Sequence, residues 1–177
     1  MGSYFIKWLT AESRLKRALV LALFPGILFA SIAAAELVKG EAPNFTLKSL
    51  RGDNFKLSER RGEVVMLSFW ASWCDPCKQG MPALNDIYLR YRDDGFTLLS
   101  INIEKDPGKA VKELRRLQVS FPVLMDTAHT VSEKYEVQEM PSTYLIDRDG
   151  NLRYTHHGIP AGFDDLILKQ IRELMAE

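Results

Sequence analysis

Apolar residues along the chain form continuous runs that alternate with stretches of helical spacing. The runs at residues 64–70 and 96–103 are predominantly apolar and have strand length, which is typical of strands covered on both faces. After each run the spacing becomes that of an amphipathic helix, with apolar residues at 84, 87, 88 and 91 and then at 110, 111, 114 and 117. This alternation predicts an α/β fold with helices packed against a sheet.

Shorter patterns complete the predicted fold. Residues 42–47 and 55–57 alternate like the two strands of a hairpin, and residues 123–125 form a further short strand. Segments 142–146 and 152–156 flank a glycine-containing turn and predict a second hairpin. Thr130 and Glu133 have capping-box spacing, which predicts a brief helix that reaches Tyr135. A terminal helix is expected to begin near Asp164 and Asp165.

The composition is that of one ordinary globular domain. The 177 residues are 46% hydrophobic, which excludes a disordered chain, and 11 Gly, 8 Pro and two Cys exclude fibrous and disulfide-rich classes. Twenty-three basic side chains balance 23 acidic ones. Because nucleic-acid binders carry a basic surplus, we expect no nucleic-acid partner.

The N-terminal segment has the pattern of an export signal. Residues 1–17 hold four basic side chains and one acidic one, residues 18–30 carry no charge, and Ala33 and Ala35 occupy positions −3 and −1 before Glu36. The alternative is an uncleaved anchor through residues 18–35 that tethers the protein to the inner membrane. In both cases we expect residues 36–177 in a periplasmic or other extracytoplasmic space, where thiols are oxidised.

The two cysteines stand three positions apart, directly after a predicted buried strand and at the start of a predicted helix. A thiol at a helix N-terminus faces free backbone N–H groups, so we expect the pKa of Cys74 to lie below about 8.5 and Cys74 to be the attacking sulfur. Cys77, one turn into the helix, can resolve a mixed disulfide. Pro76 fits the first turn because no hydrogen bond is lost there.

Other uses of two cysteines explain this pattern less well. A zinc site needs four ligands, and the neighbouring His156 and His157 point to opposite faces of a strand, so we expect no metal. A structural bridge across so short a loop would restrain little of the unfolded chain. A thiol peroxidase would need Thr-x-x-Cys, which residues 71–74 do not supply. A Cu(I)-handling module, with both thiolates and Met140 or a His as ligands, stays open as an alternative.

Four motifs carry a resemblance to a known family. They are Phe-Trp-Ala-Ser-Trp-Cys-Asp-Pro-Cys at 69–77, Met-Pro-Ala-Leu at 81–84, Phe-Pro-Val at 121–123 and Met-Pro-Ser-Thr-Tyr-Leu-Ile-Asp at 140–147. In this order they resemble the TlpA/ResA-like exported thiol-disulfide oxidoreductases of the thioredoxin superfamily, over about residues 40–177.

The resemblance implies a fold and a domain organisation. The fold is a thioredoxin-like three-layer α/β sandwich with a mixed central sheet, an N-terminal β-hairpin and a central helix–strand insert between Ile103 and Met125. Residues 1–35 would be the signal or anchor, residues 36–61 an extension with the hairpin, and residues 62–177 the thioredoxin-like domain. Catalysis would need no cofactor beyond the Cys74–Cys77 disulfide.

The resemblance also implies the site residues. Pro141 would follow a cis peptide bond beside the cysteines, and Met140 would offer its backbone to an extended substrate chain. Trp73 would form the apolar rim of the substrate groove. The predicted catalytic residues are Cys74, Cys77, Pro141 and Glu104, and the predicted substrate-binding residues are Trp73, Asp75, Pro76 and Met140.

Two positions depart from the family pattern. Thioredoxins place a buried Asp beneath the second cysteine, where this chain has Ser68, and relatives commonly have a Glu where this chain has Gly80. Proton transfer at Cys77 then needs another group. Glu104, at the end of the second buried strand, is the expected one, and Lys105 is the alternative occupant of that place.

Asp75 bears on the direction of electron flow. Its carboxylate opposes the Cys74 thiolate, which disfavours the reduced form, lowers the reduction potential and predicts a reductase. Expected substrates are Cys-containing exported proteins, and the haem-attachment cysteines of cytochrome c biogenesis, copper-site cysteines and misbridged exported proteins are the open alternatives. An exported or membrane dithiol protein would supply the electrons. A dithiol oxidase is the nearest alternative, and a reduction potential of about −120 mV would identify the protein as an oxidase.

Overall fold

The computed structural model describes residues 40–177, so the predicted signal or anchor at residues 1–35 lies outside the described residues. Within residues 40–177, no helix combines the length and apolar character that a membrane span requires.

Seven strands and four α-helices follow one another along the described chain. In order they are β1 (Thr46–Lys48), β2 (Asn54–Lys56), β3 (Val64–Trp70), α1 (Asp75–Tyr91), β4 (Phe96–Asn102), α2 (Pro107–Leu117), β5 (Val123–Met125), α3 (Thr130–Lys134), β6 (Ser142–Ile146), β7 (Leu152–His157) and α4 (Phe163–Met175). Strands β1 and β2 form the N-terminal hairpin. The other five make one sheet in the order β5-β4-β3-β6-β7.

The central sheet is mixed, as predicted. Strand β3 runs parallel to β4 and antiparallel to β6, while β5 continues the parallel side and β7 the antiparallel side. Every residue of β3 is buried, which explains its apolar sequence, because side chains on both faces of a central strand enter a core.

Two apolar cores cover the two faces of the sheet and create the three layers. On one face Met66 and Trp70 of β3 pack with residues of α1, α2 and α4. On the other face Leu67 and Phe69 pack with the hairpin region and with Val131 of α3. The predicted thioredoxin-like sandwich, with α2 and β5 as its helix–strand insert, is therefore confirmed.

The first hairpin is shorter than the sequence predicts. Strand β1 begins at Thr46, because residues 40–42 pair with the turn before β7. Ala42 N–H donates to the Gly150 carbonyl at 3.0 Å, and Leu152 N–H donates to the Gly40 carbonyl at 2.8 Å.

The predicted capping box at Thr130 is wrong. Helix α3 begins at Thr130, so Thr130 lies inside the first turn, and the residue before it makes no side-chain cap. The buried carboxylate of Asp126 caps the helix instead. It accepts hydrogen bonds from Val131 N–H at 3.2 Å and from the backbone N–H and hydroxyl of Ser132, both at 2.8 Å.

Replacing Asp126 with Ala removes the acceptor of these buried donors. We expect the free energy of unfolding to fall by about 2–3 kcal/mol, because buried N–H groups would lose their partners. Urea denaturation measures this change. The exposed Asp86→Ala on α1 is the control, for which a change within about 0.5 kcal/mol is expected. Equal losses in the two variants would contradict the capping role.

Candidate active site

Helix α1 places the two cysteines at its first turn. Cys74 is the N-cap residue, and its Sγ accepts a hydrogen bond from the backbone N–H of Cys77 at 3.2 Å. The two sulfurs form a disulfide, with the Cα atoms 5.3 Å apart. Asp75 and Pro76 occupy the first two helical positions, where proline removes no hydrogen bond. The helix therefore begins nine residues before Leu84, the first apolar position of its periodicity, because the cap fixes its start.

The disulfide lies just beneath an exposed apolar surface. Cys74 is 4% exposed and Cys77 5%, whereas the neighbouring Trp73 is 64% exposed. A large aromatic side chain left in solvent beside a reactive pair is suited to contact a partner protein. Trp70, which ends β3, is fully buried and belongs to the core.

Pro141 lies next to the cysteine pair in the fold. The Met140–Pro141 peptide bond is cis, as the resemblance implies. Strand β6 starts at the following residue and pairs with the end of β3, and Pro141 and Cys77 line the same cavity. The carbonyl of Pro141 accepts a hydrogen bond from Gly158 N–H at 2.8 Å. Met140 is half-buried and contacts both apolar cores.

The charge of Asp75 is partly neutralised. Lys78, one turn further along α1, places its Nζ 2.7 Å from Oδ1 of Asp75. The hydrogen bond and positive charge of Lys78 lower the pKa of Asp75, so this carboxylate is ionised near neutral pH. Because Lys78 offsets the negative charge next to Cys74, Asp75 disfavours the thiolate less strongly than its position in the sequence predicts.

Glu104 joins the end of β4 to the loop before the cysteines. Its carboxylate accepts hydrogen bonds from Ser72 N–H and from the Ser72 hydroxyl, both at 2.7 Å, and from Asn102 Nδ2 at 3.2 Å. Burial raises the pKa of Glu104, but these bonds and the charge of Lys109 outweigh that effect, so its pKa lies below the ordinary value. Lys105 is exposed, so Glu104 is the residue that reaches the loop.

These contacts favour a positioning role for Glu104 over the predicted proton transfer. Both carboxylate oxygens are occupied by Ser72, and the low pKa makes the group a weak base for a thiol. Glu104 is also not among the residues that line the cavity beside Cys77.

A cavity of about 370 Å³ lies beside Cys77. Its inner wall contains Trp70 and three buried hydroxyl residues, and its outer wall contains exposed residues of α1 and of the segment before α4. The hydroxyl residues are Ser68, Ser100 and Thr143. Gly80 borders the opening, and a Cβ atom at this position would lie 3.6 Å from Ile159 Cδ1.

Comparison with known proteins decides the family. Residues 38–155 match the model of the AhpC/TSA family. The chain belongs to the AhpC/TSA family. A relative named thiol-disulfide oxidoreductase ResA, from Geobacillus kaustophilus, is 35% identical over 119 residues, which cover 67% of this chain and 68% of the relative.

Solved structures agree with this membership. A Chlorobium tepidum protein described as a DsbE-type thiol:disulfide interchange protein has a TM-score of 0.74 and 35% identity, over 79% of this chain and 99% of that chain. The exposed lipoprotein thioredoxin of Streptococcus pneumoniae has a TM-score of 0.63 and 30% identity, over 75% and 100% of the two chains. This AhpC/TSA-family chain is therefore a ResA-like thiol-disulfide oxidoreductase, whose redox group is its cysteine pair rather than a bound cofactor.

Sequence reasoning missed several residues of this AhpC/TSA-family site. The ion pair between Asp75 and Lys78 could have been predicted from the sequence, because side chains three positions apart on a helix are neighbours. Ser72 and Asn102, which bind Glu104, had no sequence signal. Ser100 and Thr143 have no feature that marks them within their own strands, and only the strand register shows that they adjoin Ser68.

Changing Asp75 and Lys78 should shift the pKa of Cys74 in opposite directions in the reduced protein. Asp75→Asn removes a negative charge and should lower it, whereas Lys78→Met should raise it, each by about half a unit because solvent screens both groups. The pH dependence of Cys74 alkylation measures the shift, with exposed Asp93→Asn as the control. Shifts of the same sign in both variants would contradict this electrostatic role.

Glu104→Gln should destabilise the protein in a pH-dependent way. A group whose pKa is lowered by folding adds stability above its unfolded pKa, and that stability is lost as the pH falls through the folded value. We expect a loss of about 1–2 kcal/mol at neutral pH that shrinks below about pH 4. Urea denaturation across this range tests it, with the exposed Glu59→Gln as control. A pH-independent loss would be the contrary result.

Proposed function

We propose that this protein is an exported reductase of disulfides in extracytoplasmic proteins. The observation that carries the proposal is the position of Cys74, whose sulfur caps α1 and accepts the Cys77 N–H. The same contact would stabilise a Cys74 thiolate in the reduced protein, because a helix N-terminus favours negative charge. Cys74 is then the attacking sulfur, and Cys77 is the resolving one.

The reaction has two exchange steps. The Cys74 thiolate attacks a substrate disulfide, forms a mixed disulfide and releases one substrate thiolate, which takes up a proton. The Cys77 thiol loses its proton and attacks Cys74 Sγ, which forms the Cys74–Cys77 bond and releases the second substrate thiolate. Two electrons pass from the dithiol to the substrate. A second dithiol protein, exported or held in the membrane, must then reduce the pair again.

Substrate binding is proposed for the surface around the pair. Trp73 supplies an exposed apolar contact, Pro76 is exposed on the first turn of α1, and Pro141 lies beside Cys77. The backbone of Met140 would pair with an extended substrate chain, and Asp75 would border it. These contacts suit a Cys-containing polypeptide rather than a small molecule.

Export is proposed on the sequence of residues 1–35 and on the relatives. The charged start, the uncharged stretch and the small residues before Glu36 support a signal or a membrane anchor. The pneumococcal structural neighbour is itself described as an exposed lipoprotein. We place the extension with the hairpin at residues 36–61 and the thioredoxin-like domain at residues 62–177. Haem-attachment cysteines of cytochrome c biogenesis are one proposed substrate class.

A Cys77→Ala variant should trap the substrate. Without the resolving thiol, the mixed disulfide on Cys74 persists, and we expect adducts with exported Cys proteins that dithiothreitol releases. Non-reducing electrophoresis and mass spectrometry identify them. Cys74→Ala is the matched control and should form far fewer adducts, because Cys77 is the less reactive thiol. Adducts on Cys77 alone, or none from any exported protein, would refute the proposal.

A further inference from the structure

Three hydroxyl residues lie in one row across the sheet. Ser68 on β3 is the Cα partner of Ser100 on β4 and also of Thr143 on β6. Because residues in register on adjacent strands share a face, the three side chains lie on the same face as Met66 and Trp70. They are 6%, 2% and 2% exposed, respectively, and the buried His156, the partner of Thr143 on β7, lies on the same face with its Nε2 2.7 Å from Gln170 Oε1. All three line the cavity beside Cys77.

Trp70, which lines the same cavity, carries a buried polar group without a partner among the described residues. Trp70 is 1% exposed and lines the cavity, and its indole Nε1–H has no hydrogen-bond acceptor among the described residues. Buried N–H groups normally have a partner, and an indole N–H can only donate. A space of about 370 Å³ with several hydroxyls is large and polar enough for water molecules that make two or more hydrogen bonds.

The attack of Cys77 on Cys74 requires a group that accepts the Cys77 proton. The thiolate is the nucleophile, so the Cys77 thiol must lose its proton before it attacks Cys74. Among the described residues that line the cavity, the ionisable side chains are Cys77 itself and Asp164, which is exposed at the start of α4. No carboxylate or imidazole therefore lies on the inner wall of the cavity to take the proton directly.

We propose that Ser68, Ser100 and Thr143 are positioning residues that hold water against Cys77, and that this water accepts the Cys77 proton during resolution. The inference rests on the proposed function and adds the proton route to it. The proton passes from Cys77 Sγ through the held water to the cavity opening beside Gly80 and reaches solvent or the departing substrate thiolate. The electron pair left on Cys77 forms the bond to Cys74 Sγ, and the bond from Cys74 to the substrate breaks.

A single-turnover reaction separates the two cysteines. One equivalent of dithiobis(nitrobenzoate) reacts with reduced protein, and the attack of Cys74 releases the first coloured thiolate. Attack of Cys77 on the resulting mixed disulfide releases the second. Thr143→Val keeps the shape of the side chain and removes its hydroxyl, so we expect the second release to slow about tenfold while the first is unchanged. Thr143→Ser, which restores the hydroxyl, should keep both rates.

Thr155→Val is the matched control. Thr155 carries a buried hydroxyl without a partner among the described residues, but it pairs with Tyr144 and belongs to the opposite face of the sheet. Neither release should change in this variant. A Ser68→Ala/Ser100→Ala double variant tests the rest of the row and should also slow only the second release. The first release, measured in the same samples, shows that each variant has a native Cys74.

The results distinguish the inference from the proposed function. If Thr143→Val and the double variant leave the second release unchanged, or slow both releases equally, the hydroxyl row is not a proton route, although the dithiol mechanism stands. If Thr143→Ser is as slow as Thr143→Val, the shape of the residue matters rather than its hydroxyl, which also overturns the inference. If the wild-type protein gives no second release, the proposed two-cysteine mechanism itself fails.

Discussion

The hydrogen bond from Cys77 N–H to Cys74 Sγ is the contact on which the rest of the structure depends. It makes a sulfur the cap of α1, so the start of the helix and the reactive pair are fixed together. Because a cap sulfur receives a backbone donor and faces the positive end of the helix, the helix itself stabilises its anionic form, while the opposite charges of Asp75 and Lys78 largely offset each other. The fold therefore supplies the reactivity of Cys74 mainly from its backbone.

The surrounding elements hold this cap in place from three sides. Strand β3 ends directly before the loop that contains Ser72, and Glu104 binds this loop through Ser72. Pro141, directly before β6, lines the cavity next to Cys77. The two sulfurs have different surroundings: Cys74 follows an exposed Trp73, whereas Cys77 borders the hydroxyl-lined cavity. Both residues are almost buried, at 4% and 5% exposed, so the difference between them lies in their neighbours rather than in their exposure.

The apolar pattern within short windows of sequence predicts most of the strands and helices. The features that it does not predict depend on a helix cap or on contacts between residues that are distant in sequence. Strand β3 has the predicted bounds because seven consecutive buried residues leave an unmistakable apolar run. Helix α1 starts earlier than its periodicity, since its first turn is defined by a cap rather than by apolar residues. The bond from Ser72 to Glu104 joins residues 32 positions apart, and the row through Ser68 depends on strand register. Neither has a signature within a short window of sequence.

The reduction potential of the Cys74–Cys77 pair tests the central claim most directly. Equilibration with mixtures of reduced and oxidised dithiothreitol or glutathione, followed by alkylation and mass analysis, gives the fraction of disulfide at each poise. The account predicts one reversible two-electron transition closer to the thioredoxin value, about −270 mV, than to that of a strong oxidant, about −120 mV. A reduction potential of about −120 mV would contradict the reductase assignment, and the absence of any reversible transition would contradict the redox role itself.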